Sequence, residues 1–112
     1  MSSDFPFSTA RSSLLNTETF RNLLGNALEN STKSVIILSA YVKTVGVNWL
    51  KEKISDKKIN CTIVARWNNG DLAQGSSDLE CYHLAKKNSW SFKVLQDLHA
   101  KVMLVDNEIL FI

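Results

Sequence analysis

The sequence predicts an α/β fold, a mixed β-sheet flanked by helices, and three observations carry that expectation. Two short apolar runs rich in β-branched residues, 34–40 (SVIILSA) and 59–67 (INCTIVARW), have the length and composition of buried strands. Segments with helical spacing stand before, between and after them. The last quarter turns to two-residue alternation and closes with the turn signal Asp106-Asn107-Glu108. Strands alternating with helices and ending in a hairpin imply a sheet with both parallel and antiparallel neighbours.

Taken in order, residues 1–16 are Ser-rich, hold the only proline, Pro6, and read as an N-terminal arm. Phe5 and Phe7 are placed to pin that arm to the body or to a second subunit. Residues 17–112 form the single domain that a chain of 112 residues has room for. Thr17 is the expected N-cap of a first helix, whose Phe20, Leu23, Leu24, Ala27 and Leu28 recur at three- and four-residue spacing. The run 34–40 follows as a strand expected to be buried on both faces.

Residues 47–54 read as a short helix, with Trp49 and Leu50 inward and Lys51 and Lys53 in water. The second strand, 59–67, leads into a loop marked by Asn68, Asn69, Gly70 and Gly75. Ser77 or Asp78 can cap the next helix, which runs to about Asn88 with Leu79, Tyr82, Leu84 and Ala85 inward. In 90–95, Trp90, Phe92 and Val94 alternate with Ser91 and Lys93, as a half-buried strand requires. Residues 99–105 and 109–112 complete the sheet on either side of the turn.

The hydrophobic share of 45% and charged share of 21% are ordinary for a globular chain and argue against disorder. A net charge of +2 permits nucleic-acid binding without arguing for it. Cys61 and Cys81 are too few and too far apart for a disulfide framework or a zinc site, so both read as buried free thiols. The N-terminus has no apolar run long enough for a signal peptide or a membrane span, so cytoplasmic residence without membrane contact is expected.

The chemistry-bearing residues gather near the C-terminal end. Residues two apart in a strand share a face, so His99 and Lys101 are expected to project together from a rigid apolar strand. Asp106 follows at the strand end, where the turn is expected to bring its carboxylate back towards them. Such a trio suits phosphoryl transfer. An imidazole can be nucleophile or general acid at neutral pH, an ammonium can meet phosphate oxygens, and a carboxylate can orient either. The design requires no metal or other cofactor. The plain alternative is a strand-start histidine, a snorkelling lysine and an Asp-Asn turn.

His99-x-Lys101-x-x-x-x-Asp106 resembles the HxKxxxxD signature of the phospholipase D superfamily. The chain over about residues 20–112 is similar to the family's bacterial nuclease and restriction-endonuclease-like branch. There SVIILSAYV matches the first strand, INCTIVARW the second, and DLAQGSSDLE the loop and cap of the next helix. The resemblance implies a phospholipase D-like half-domain and a metal-independent phosphodiesterase, an endonuclease on DNA working through a phosphohistidine. With one motif per chain, it implies a homodimer whose two-fold axis brings two His99 residues together. The lysines would bind phosphate oxygens and the aspartates support the arrangement. The family continues past this hairpin with a Gly-Ser segment and an Asn that contact phosphate. This sequence reaches Ile112 where that segment would begin, so the half-domain is expected to be C-terminally incomplete.

Three further residues are candidates for substrate contact. Arg66 ends the second strand on the edge where α/β sheets bind ligands, and could meet a phosphate or pair with Asp71 or Asp78. Trp67 could stack on a base or cover the core, and Tyr41, just past the first strand, has a similar claim. His83 reads as a surface or packing histidine, and Lys51, Lys53, Lys57 and Lys58 as a solvated face. Two other functions remain alongside the nuclease: hydrolysis of a phospholipid, and an inactive nucleic-acid-binding or dimerisation module of the same fold.

Overall fold

A computed structural model of the chain describes residues 15–54, 57–67 and 79–112. Most of the expected N-terminal arm, the Asn/Gly loop after Trp67 and the caps Ser77 and Asp78 lie outside the described residues. Three helices and five strands occur among the described residues: α1 (Thr17–Glu29), β1 (Ser34–Ser39), α2 (Thr44–Ile54), β2 (Asn60–Ala65), α3 (Glu80–Lys87), β3 (Ser91–Val94), β4 (Lys101–Val105) and β5 (Ile109–Phe111). The strands form one mixed sheet in the order β3-β2-β1-β4-β5. β1 pairs in parallel with β2, and β2 with β3, whereas β4 runs antiparallel to both β1 and β5. The α/β class read from the sequence is the architecture observed.

The N-cap of α1 is Asn16, one residue before the expected Thr17; its side-chain oxygen accepts from the Thr19 amide at 2.8 Å. The apolar stripe of α1 buries Leu24 and Leu28 against α2, whose Val47, Leu50 and Ile54 turn inward. α2 starts a turn earlier than its periodicity indicates. That first turn faces solvent, with Val45 77% exposed, and so carries no inward apolar signal. α3 adds Cys81 and Ala85 to the core, and Ser89, two residues past its end, has a φ of 61°, the left-handed conformation common after a helix.

The strand register decides which side is covered. Val35, Ile37, Cys61, Ile63, Ala65, Met103 and Val105 share the face that meets the helices. All three described helices pack there, α3 through Tyr82 against Phe92 at 5.9 Å. Full burial of each Leu, Ile or Val on that face contributes about 1.5–3 kcal/mol. On the opposite face Ile36, Leu38, Val64, Val102 and Leu104 are only half-buried. Burial of β1 on both faces is therefore not what the structure shows. The apolar run is present, but the described helices are stacked on one side.

Both cysteines are free and buried, and burial pushes the Cys61 thiol up to about 12, which leaves it protonated and inert.

Candidate active site

The chain builds its sheet outward from β1 to β3, then crosses back to lay β4 on the far side of β1. That reversal makes the carboxyl end of β1, beside the start of β4, a topological switch point, the place where open α/β sheets hold ligands. The crossing segment is stitched along this edge. The Leu95 amide donates to the Ala65 carbonyl at 2.9 Å, and Ala40 donates to Ala100 at 3.2 Å. Arg66, the first residue after β2, donates its own amide to Ser39 at 3.3 Å. Leu98 is buried beneath the crossing, which leaves His99 exposed above it.

Three side chains expected from different parts of the sequence meet here. Arg66 Nη2 donates to the Tyr41 hydroxyl at 2.9 Å, and the guanidinium carbon lies 4.9 Å from the Tyr41 ring centroid. Arg66 Nη1 approaches His99 Nδ1 at 3.4 Å. A cation is thus held between a phenol and an imidazole at the mouth of the sheet, open to solvent. His99 itself precedes β4 rather than belonging to it.

Lys101 begins β4 opposite Ser39, on the helix-covered face with Met103. Its ammonium has no hydrogen-bond or ion-pair partner among the described residues. Instead it lines a cleft of about 370 Å³ between α1, α2 and the sheet, whose walls are mostly apolar and whose polar lining includes Arg21, Lys43 and Tyr41. Sequence reasoning missed Arg21 and Lys43. The signal for Lys43 was present in the alternation of outward Tyr41 and Lys43 about buried Val42.

Asp106 does not join this cluster, and its carboxylate is not carried back towards His99. It sits at the other end of β4, on the order of 17 Å from Lys101 along an extended strand. There one carboxylate oxygen accepts from the amides of Lys33 at 2.8 Å and Ser34 at 3.1 Å. The other takes the Thr32 amide at 3.0 Å, and the Asp106 amide donates to the Ser34 carbonyl at 2.7 Å. Desolvation works to raise this carboxyl. The three backbone donors and the Lys33 charge outweigh it, holding Asp106 below its ordinary 3.8. The role the geometry gives Asp106 is to tie the end of β4 to the start of β1.

Trp67 also stands apart. Its ring packs on Phe92 at 5.0 Å and joins the margin of the core, the core-covering placement of the two that the sequence allowed. Its buried indole N–H has no acceptor among the described residues. His83 lies on α3 with its ring edge-on to Tyr82 at 5.6 Å, outside the cluster. Among the described residues no three His, Cys, Asp or Glu side chains converge on a metal-sized site. No described helix is long and apolar enough to cross a membrane.

The fold and edge define a mixed α/β domain with a cationic switch-point site. No protein-family model matches the chain, and no curated protein matches it. Among solved structures it is similar to TrmBL2, an archaeal chromatin protein described as showing a novel mode of DNA binding, with a TM-score of 0.59 and 10% sequence identity. The match covers 90% of this chain but 41% of that one, and at such identity it speaks for the fold alone.

Proposed function

We propose that the chain is one half of a metal-independent phosphodiesterase of the phospholipase D superfamily, acting on DNA as an endonuclease. The observation that carries this reading is the meeting of Arg66, Tyr41 and His99 at the switch point, with Lys101 two residues beyond His99. Phosphodiester cleavage needs a nucleophile or proton donor beside fixed cations, and that edge supplies an imidazole, a guanidinium and an ammonium. In a two-fold dimer, His99 attacks phosphorus while His99 of the partner subunit protonates the departing oxygen. Water then hydrolyses the N–P bond and restores both imidazoles. Arg66 and Lys101 neutralise the phosphate oxygens throughout.

A second reading has its own support. Arg66 and Lys101 can hold phosphate without any chemistry, and one solved structure of similar fold is an archaeal chromatin protein described as showing a novel mode of DNA binding. One experiment separates the two. The chain is incubated with plasmid DNA in EDTA beside His99→Ala and Lys101→Ala variants, and its mass in solution is measured. EDTA-resistant cleavage lost in both variants, from a dimer, supports the nuclease. DNA retarded in a gel yet left intact supports the binding module.

A further inference from the structure

We propose that the cleft between α1, α2 and the sheet binds a medium-chain aliphatic carboxylate, with its chain in the apolar interior and its head on Lys101. This goes beyond the phosphodiesterase reading and does not depend on it. Leu24, Val35, Leu50 and Ile63 line the cleft, each no more than 5% exposed. The buried polar side chain of the lining is Ser39, whose hydroxyl donates to the Tyr41 carbonyl at 2.7 Å. That proton is committed, so Ser39 offers a ligand no donor. Walls of this kind accept hydrocarbon. If a methylene takes up roughly the 30 Å³ of a water molecule, the volume of about 370 Å³ holds on the order of a dozen heavy atoms. A chain of about eight to ten carbons and its head fill such a space.

The charges on the lining have one sign. Arg21, Lys43 and Lys101 stand exposed along it, and no carboxylate is among the lining residues. Lys101 is decisive, because its ammonium has no partner among the described residues. It pairs with Ser39 across the sheet and shares the helix-covered face with Met103, where β4 enters beside β1. A lysine so placed lays its methylenes along an apolar wall and keeps its charge in water at the mouth. A cation without a counter-ion beside a hydrocarbon-lined cleft complements a ligand with an apolar body and an anionic end. The carboxylate accepts a charge-assisted hydrogen bond from the ammonium, and the chain removes apolar wall from water. A small hydrophilic anion would gain only the first of these, and a neutral alkane only the second.

The cleft carries its own reporter. Met103 lines it, and the sequence holds one other methionine, Met1. The full chain, labelled with ¹³C-methyl methionine, is titrated with octanoate at a pH of about 7.5, where the carboxylate is ionised. Met103→Leu assigns the signal. Octanoate should shift the Met103 methyl resonance saturably, at one site per chain, with a Kd of about 1 mM or tighter. Acetate at the same concentration should leave it in place, and octanol should bind at least about tenfold more weakly than octanoate. Lys101→Met, with circular dichroism unchanged, should bring octanoate down to the affinity of octanol, whereas Lys101→Arg should keep most of the wild-type affinity. A Met103 signal indifferent to octanoate, equal affinity for octanol and octanoate, or full affinity in Lys101→Met overturns the proposal. The readout contains no DNA. A chain that binds octanoate but cuts nothing refutes only the phosphodiesterase, and one that cuts DNA without binding octanoate refutes only the cleft site.

Discussion

The two ends of β4 carry the same short motif yet are built for opposite purposes. At the Lys101 end, side chains are exposed, cations gather, and the one contact to His99 is long at 3.4 Å. At the Asp106 end, every oxygen of a carboxylate is taken by backbone amides between 2.8 and 3.2 Å. An arrangement left incompletely satisfied in water is available to a ligand, whereas a saturated one is committed to the fold. The contrast teaches that residues close together in a short motif can be set apart along a strand, with open cationic side chains at one end and architecture at the other.

Substitutions can break that contrast, and the largest effect belongs to the open end. His99→Ala should lower EDTA-resistant cleavage on the order of 10³-fold, while urea unfolding shifts by no more than about 0.5 kcal/mol. A variant that lost as much stability as activity would erase the distinction. At the closed end, Asp106→Ala should cost about 2 kcal/mol, because three backbone donors lose their acceptor, while cleavage by the folded fraction changes only a few-fold. Abolished cleavage at full stability would return Asp106 to the active site.

Acid sharpens the same point. Since the folded Asp106 carboxyl lies below its ordinary 3.8, its stabilisation is complete above that value and disappears as pH falls through the lower, folded one. Urea midpoints of wild type and Asp106→Asn, followed downward from a pH of about 6, should differ most at the start and converge in acid. Parallel curves would show that the carboxylate charge contributes nothing. The smallest effect concerns the turn itself, where Asp106 and Asn107 have φ of 56° and 59° and Glu108 donates to Val105 at 3.0 Å. Asn107→Ala should cost about 1 kcal/mol, since only Gly, Asn and Asp enter this conformation readily, and should leave cleavage untouched.

Much of the fold was legible in the chain because its signals are periodic. Strands β1 to β5, the inward stripe of α1 and the buried cysteines all follow from spacing and composition. The edge positions of Arg66 and Tyr41 followed from reading β1 and β2 as parallel. What escaped depends on three-dimensional partners. Apolarity on both sides of β1 does not say where helices stack, so Ile36 and Leu38 were assigned a cover that the described helices do not provide. Only six residues separate His99 from Asp106, and that closeness concealed a strand length pointing the two ends apart. For Trp67 the sequence left stacking on a base and covering the core both open, and only the packing partner Phe92, 25 residues away, places its ring at the core margin. The Arg66–His99 approach joins residues from two loops, and no spacing rule encodes such a pair.

One topological feature also sets an order of events during synthesis. β4 occupies an interior position in the sheet, beside β1, although it is the fourth strand made. Its partners Ser39 and Lys101, and Val35 and Val105, are more than sixty residues apart along the chain. Closing so long a loop is slow compared with forming the local β1–α2–β2 unit, so the helices and parallel strands are expected to gather first and wait with one side of β1 unpaired. Until the ribosome has released residue 105, the edge that binds Arg66 to His99 does not exist. The edge that joins Arg66 to His99 is therefore expected to be among the last parts of the domain to assemble, when the last interior strand is zipped in.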